Sequence, residues 1–179
     1  MRPTAHSTIF VCLLLIVSCT STKKFVKNPE RLKSVKKVAV LPFVCNNREV
    51  GYSISEALSA QLLASRFTVI ERTQFEKLLN EQGFTLSGIL EDQGSIIGKI
   101  KGVDAIVVGS ATLDRGFAGL LYGGYKDYVA TATARMIDVV SGEVLIAATF
   151  SSSGASTMSG VTTPSDVGEK LAKKLSSHN

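Results

Sequence analysis

The sequence predicts an α/β domain in which a mixed β-sheet is flanked by helices, in the order βαβα(α)βββα. Two almost continuously apolar, β-branched runs, 37–44 and 103–112, read as strands covered on both faces. Between and behind them, apolar residues recur at four-residue steps, the spacing of a helix face. Near the C-terminal end two alternating runs flank Ser141-Gly142, the pattern of a hairpin.

The first strand is KVAVLPFV, and Pro42 places its last part at an edge or a bulge. Ser53 and Glu56 have capping-box spacing, and Ile54, Leu58 and Leu62 form the stripe of the helix they open. RFTVIE is a short strand. Thr73 and Glu76 repeat the capping-box spacing ahead of Phe75, Leu78 and Leu79, and Gly83 is placed to stop that helix. A further helix is expected over 93–100, ended by Gly102. Along the next run Val129, Thr131, Thr133, Arg135, Ile137 and Val139 are assigned to one face, and Tyr128, Ala130, Ala132, Ala134, Met136 and Asp138 to the other. The strand 143–153 returns antiparallel. Pro164 behind Thr163 starts a last helix with the stripe Val167, Leu171, Leu175.

Before this domain lies a different kind of sequence. Ile9 to Val17 is apolar apart from Cys12, and its nine residues fall well short of the roughly 20 that a membrane-spanning helix needs. Behind Arg2 it has the form of a signal peptide, expected over 1–18. Ile16, Val17 and Ser18 followed by Cys19 resemble a bacterial lipobox. That resemblance implies a diacylglycerol thioether on Cys19, removal of the preceding peptide and acylation of the new amine, with palmitate as the expected chain. Of the three cysteines, Cys12 leaves with the signal and Cys19 carries lipid, so Cys45 has no intramolecular disulfide partner. It reads as a half-buried small apolar residue.

Residues 19–36 are polar and basic, with Lys23, Lys24, Lys27, Arg31, Lys33 and Lys36 against Glu30, and are expected to be a tether. Much of the formal charge of +5 therefore belongs to this stretch. Its partner is an anionic lipid surface, or it is a solvated spacer; no nucleic-acid partner is expected. The domain proper is placed at 37–179, enough for one core.

Nothing in the sequence points to catalysis. His6 lies in the signal and His178 beside the end, so the domain lacks an internal imidazole for a Ser-His-Asp or Cys-His arrangement. There is no G-x-S-x-G elbow, and too few His and Cys for zinc. GSIIGKI is one residue short of a phosphate loop and has Ile100 in place of the hydroxyl residue. No cofactor, metal or catalytic residue is assigned.

VAVLPF, FTVIERTQFEKLLNEQGF, LSGIL, IGKIKGVDAIVVGS and RMIDVVSGEVL, taken in order, resemble the curli production assembly/transport component (CsgG-like) family. The likeness spans residues 37–146. It implies an outer-membrane lipoprotein with a periplasmic α/β domain. The curli member forms a ring-shaped secretion channel, whereas the activators of penicillin-binding proteins share a similar domain without a pore. The transmembrane hairpins of a channel need about 9–11 residues per strand. The candidates here, 111–134 and 150–165, are marginal and too short, which reads as a short, pore-less relative or one whose pore depends on other subunits. Two functions follow: a self-associating component of envelope protein export or assembly, or a lipid-tethered scaffold that binds a cell-wall synthase or another envelope machine. The candidate interface residues are Phe117, Leu120, Leu121, Tyr122 and Tyr125, a glycine-flanked apolar segment, together with Arg72; the loop 85–92 comes next. The apolar segment is either a partner or membrane contact or a loop folded back on its own core.

Overall fold

The computed structural model describes residues 20–91, 100–117, 124–152 and 162–177. Strands β1 (Thr20–Val26), β2 (Lys37–Val40), β3 (Thr68–Ile70), β4 (Ala105–Phe117), β5 (Tyr125–Asp138) and β6 (Val144–Ser152) form one sheet in the order β1-β6-β5-β4-β2-β3. β2 runs parallel to β3 and β4, and the remaining neighbours are antiparallel. The helices are α1 (Pro29–Ser34), α2 (Arg48–Leu63), α3 (Arg72–Glu81), α4 (Leu86–Glu91) and α5 (Pro164–Ser176). The mixed, helix-flanked sheet is the predicted class.

Alternation along the strands separates two apolar layers. On one face Val38, Val40, Val107, Ala134, Met136, Ile146 and Phe150 pack against Ile54, Leu58 and Leu62 of α2 and Val167, Leu171 and Leu175 of α5. On the other face Ala39, Leu41, Ile106 and Val108 meet Phe75 and Leu79 of α3 and Ile89 of α4. Fully buried Leu58 and Leu171 confirm the predicted stripes. Thr163 and Asp166 complete a capping box in front of Pro164, as expected for the last helix.

Several expectations are corrected. The stretch read as a basic tether is part of the fold. β1 pairs with β6 along its whole length, from Thr20↔Ser152 to Val26↔Ile146. α1 inserts Leu32, and Val35 behind it is fully buried. Its basic residues find partners: Lys24 Nζ donates to the Ser177 carbonyl at 3.2 Å, Lys27 pairs with Glu143 at 3.3 Å, and Arg31 grips the buried Asp138. An edge strand pairs on one side only, and lysines there blunt its open edge, so a core-like apolar signal is not required.

The two N-terminal capping boxes are not used. α2 starts five residues earlier than Ser53, where Asn47 accepts from the N–H groups of Glu49 and Val50. α3 starts at Arg72, with no side-chain cap from Glu71. The loop 85–92 is largely α4, whose Ile89 is fully buried. The helix expected over 93–100 falls outside the described residues, except for buried Ile100. The predicted faces of β5 hold from Thr131 onwards. A bulge lies before it, since Thr112 pairs with Thr131 but Leu113 with Val129. Ala130 is the extra residue, and Val129 joins the layer of Ala132.

Candidate functional site

The residues that carried the family likeness are mostly structural supports. Asp104 accepts from the N–H groups of both Lys36 and Lys37 at 2.8 Å, fastening the start of β2 to the start of β4. Gly109 leaves room for Phe43: a Cβ there would lie 2.3 Å from the phenyl ring. Gly102 turns at φ +97° against Leu78, where an L side chain is strained.

Arg72 has a different setting. β3 is an edge strand of the sheet. α2 passes beside it and presents an outer stripe of Tyr52, Glu56, Ser59 and Leu63, while Ile54, Leu58 and Leu62 point inward. α3 begins directly after β3. The three elements enclose a cleft of about 450 Å³ with an apolar floor of Val40, Val69 and Ile70. At its rim Arg72 Nε donates to Glu76 Oε1 at 2.8 Å, and the guanidinium lies 4.8 Å from the centre of the Tyr52 ring. The hydrogen bond to Glu76 raises the already high pKa of Arg72, so the charge is fixed. Glu56 and Glu71 are exposed on the same rim.

Arg72 pairs with Glu76, one turn along α3, rather than with the adjacent Glu71. The cleft offers an apolar trough, an open strand edge and a mixed-charge rim. Those groups suit an extended peptide or a protein surface. Tyr52 and Glu56 were not singled out in the sequence as site residues. Their signal was the second stripe of α2, Tyr52, Glu56, Ser59 and Leu63, on the side away from the core stripe.

The other interface candidates lie elsewhere. Tyr125 begins β5 and is 69% exposed. It is at the far end of the β4–β5 ribbon, where Arg115 pairs with Asp127 at 2.9 Å. Leu120, Leu121 and Tyr122 lie outside the described residues, and Phe117 is placed by its backbone as the last residue of β4. Cys19 and the signal 1–18 also lie outside them. Cys45 is half-buried, with its thiol 3.5 Å from Asn46 Oδ1. Among the described residues no group of three or more His, Cys, Asp or Glu could hold a metal ion, and no helix is long and apolar enough to cross a membrane.

Comparison with solved structures places this fold among known ones. The chain is similar to the PelC dodecamer from Paraburkholderia phytofirmans, at 14% identity over 90% of this chain and 100% of that one, with a TM-score of 0.51. A variant of the same dodecamer aligns at 16% identity over 89% and 100%, with a TM-score of 0.52. A DUF4136 family protein from Bacteroides thetaiotaomicron aligns at 8% identity over 86% and 95%, with a TM-score of 0.50. No curated protein matches the chain significantly. The family model described as curli production assembly/transport component CsgG matches residues 33–174, most of the sequence. The chain belongs to the CsgG family.

Proposed function

We propose that this protein is a non-catalytic lipoprotein, acylated at Cys19 and held on the periplasmic face of the outer membrane, that self-assembles as a component of envelope protein export or assembly. The observation that carries this reading is the family match over 33–174, joined to the likeness of nine-tenths of the chain to a dodecameric protein. Among the described residues β1 and β3 are the two outer strands of the sheet, and such unlike edges are suited to head-to-tail association, which closes into a ring when the rotation permits. The Arg72 cleft lies on one of those edges and is the proposed contact with a neighbouring copy. Its titratable groups are an arginine tied to a glutamate, the Tyr52 phenol and two exposed glutamates, a set suited to recognition rather than group transfer.

The second reading, a scaffold for a cell-wall synthase, is favoured less. β1 starts one residue after Cys19, so an anchored domain has no spacer with which to reach a partner away from its membrane.

Arg72→Glu tests the contact. Reversing this charge sets two carboxylates against each other at the rim without entering the core, since Arg72 is 38% exposed. The variant is expected to keep its circular dichroism spectrum and to lose assembly in size-exclusion chromatography with light scattering. Unchanged assembly would remove the cleft from the interface.

A further inference from the structure

We infer that the occupant of the Arg72 cleft is the first strand of a neighbouring copy, with the Phe25 ring seated in the apolar trough and Lys23 and Lys27 laid on the acidic rim. This rests on the reading of the cleft as a contact between copies, and it names the surface on the other side of that contact.

The first observation is an exposed aromatic ring on an edge strand. Along β1, Thr20 and Lys24 reach groups of α5 and of Ser177 just past it, so alternation turns Ser21, Lys23 and Phe25 to the opposite face. Lys27 continues that series directly after the strand. Phe25 is 61% exposed, and no other phenylalanine among the described residues is classed as exposed. Lysines on an edge strand discourage pairing with foreign strands, and a bare phenyl ring among them works the other way. The alternation leaves a ridge of cation, ring and cation, with each lysine about 7 Å along the strand from the phenylalanine.

The second observation is opposite charge on the two outer strands' sides of the sheet. β1 carries Lys23 and Lys24 and no acidic residue. α5 beside it adds Lys170, Lys173 and Lys174 against Asp166 and Glu169. At the cleft Arg72 and Glu76 cancel each other, which leaves Glu56 and Glu71 as the uncompensated charges of the rim. A basic side and an acidic side on one molecule attract head to tail and repel like to like.

The third observation is that the cleft has a place for the ring. Val40, Val69 and Ile70 form its floor, and Leu63 on its wall is 62% exposed. Glu56 comes from α2 and Glu71 from the junction of β3 with α3, so acids stand on two sides of the trough. Arg72 lies over the Tyr52 ring and still keeps 38% of its side chain in solvent, a surface on which a second ring can lie. The ridge and the cleft of one chain cannot meet. β1 and β3 are separated by the full width of the six-stranded sheet, five strand spacings or about 24 Å. The contact is therefore made between copies, and it repeats from one copy to the next.

The test uses the acylated full chain in detergent with Cys45→Ala, carrying Phe25→Cys and Leu63→Cys together, and a short bis-maleimide crosslinker. Both positions are more than half exposed, so the circular dichroism spectrum should match that of the parent. A ladder of covalent dimer, trimer and higher species is expected on denaturing gels, because each copy is joined to the next. Phe25→Cys alone and Leu63→Cys alone are expected to run as monomers, as is a chain with Leu63→Cys and Val140→Cys, whose valine is equally exposed but lies in the β5–β6 turn. As a second measurement, Phe25→Ser is expected to lose the assembled species in size-exclusion chromatography with light scattering. No ladder from assembled protein, or a ladder as strong from the Val140 control, would overturn the inference. Arg72→Glu then separates the two failures. If it still abolishes assembly, the cleft is a contact that takes another surface of the neighbour; if assembly survives it, the reading of the cleft falls as well.

Discussion

Asp138 ends β5 with 2% of its side chain exposed, and Arg31 reaches it from α1 with two nitrogens. Burial alone would push the Asp138 carboxyl up. The hydrogen bonds from Arg31 and from the Val140 N–H, with the Arg31 charge, outweigh burial and hold it below the ordinary carboxylate range. The unfolded chain therefore binds this proton more readily than the native one. The contribution to stability is complete above the unfolded value of about 3.9 and is lost as the pH falls through the lower native value. Arg31→Met is expected to cost about 2–3 kcal/mol near neutral pH. This is less than the 3–5 of a fully dry pair, because Arg31 keeps about a third of its surface in water. An unpaired buried carboxylate takes up its proton more easily, so the deficit should narrow on acidification. Urea melts of both proteins at pH 7 and pH 4 check the magnitude and the sign. Nothing in the sequence singles out this pair. Arg31 looked like one charge among many in a solvated run, and Asp138 occupied an ordinary alternating position. Arg72 was legible because it follows a short strand and precedes a helix, a place where a side chain emerges at a sheet end.

At the scale of elements, strongly periodic pieces were readable and weakly periodic ones were not. Leu58 and Leu171 lie on helices whose stripes are complete, and Ser141-Gly142 makes its hairpin with Gly142 at φ +72°. The start of α2 was missed because Asn47 competes with Ser53 as a cap, and the extra turn it opens buries Gly51 rather than a large apolar side chain. β1 was missed for a physical reason too. Its inward positions are Thr20, Thr22 and Lys24, polar residues of which Thr20 accepts from Lys170 of α5 and Lys24 donates to Ser177 just past its end. Burying Leu32 and Val35 stabilises the fold by about 1.5–3 kcal/mol each. A chain shortened to begin at Lys37 is therefore expected to melt well below the full domain or to aggregate. Limited proteolysis of the native protein should spare residues 20–36, in contrast to the behaviour of a flexible tether. Rapid trimming to Val38 with retained thermal stability would contradict the pairing of β1 with β6.

At the scale of the whole molecule, the sheet order could be approached from sequence because adjacent β4, β5 and β6 form a meander and β2 and β3 join through a helix. Placing β1 on the far edge could not be read, since that pairing spans the whole chain from Thr20 to Ser152. The same long-range pairing leaves β1 and β3 as opposite edges of one sheet, and an asymmetric monomer of this kind associates through two unlike surfaces. The cleft at β3 supplies one of them in this account. Self-assembly is the central claim, and the mass of the detergent-extracted, acylated protein tests it most directly. Native mass spectrometry is expected to find a single closed species many times heavier than the monomer, unchanged on dilution across the micromolar range. A monomer at every concentration, with its acyl chains in place, would contradict the account.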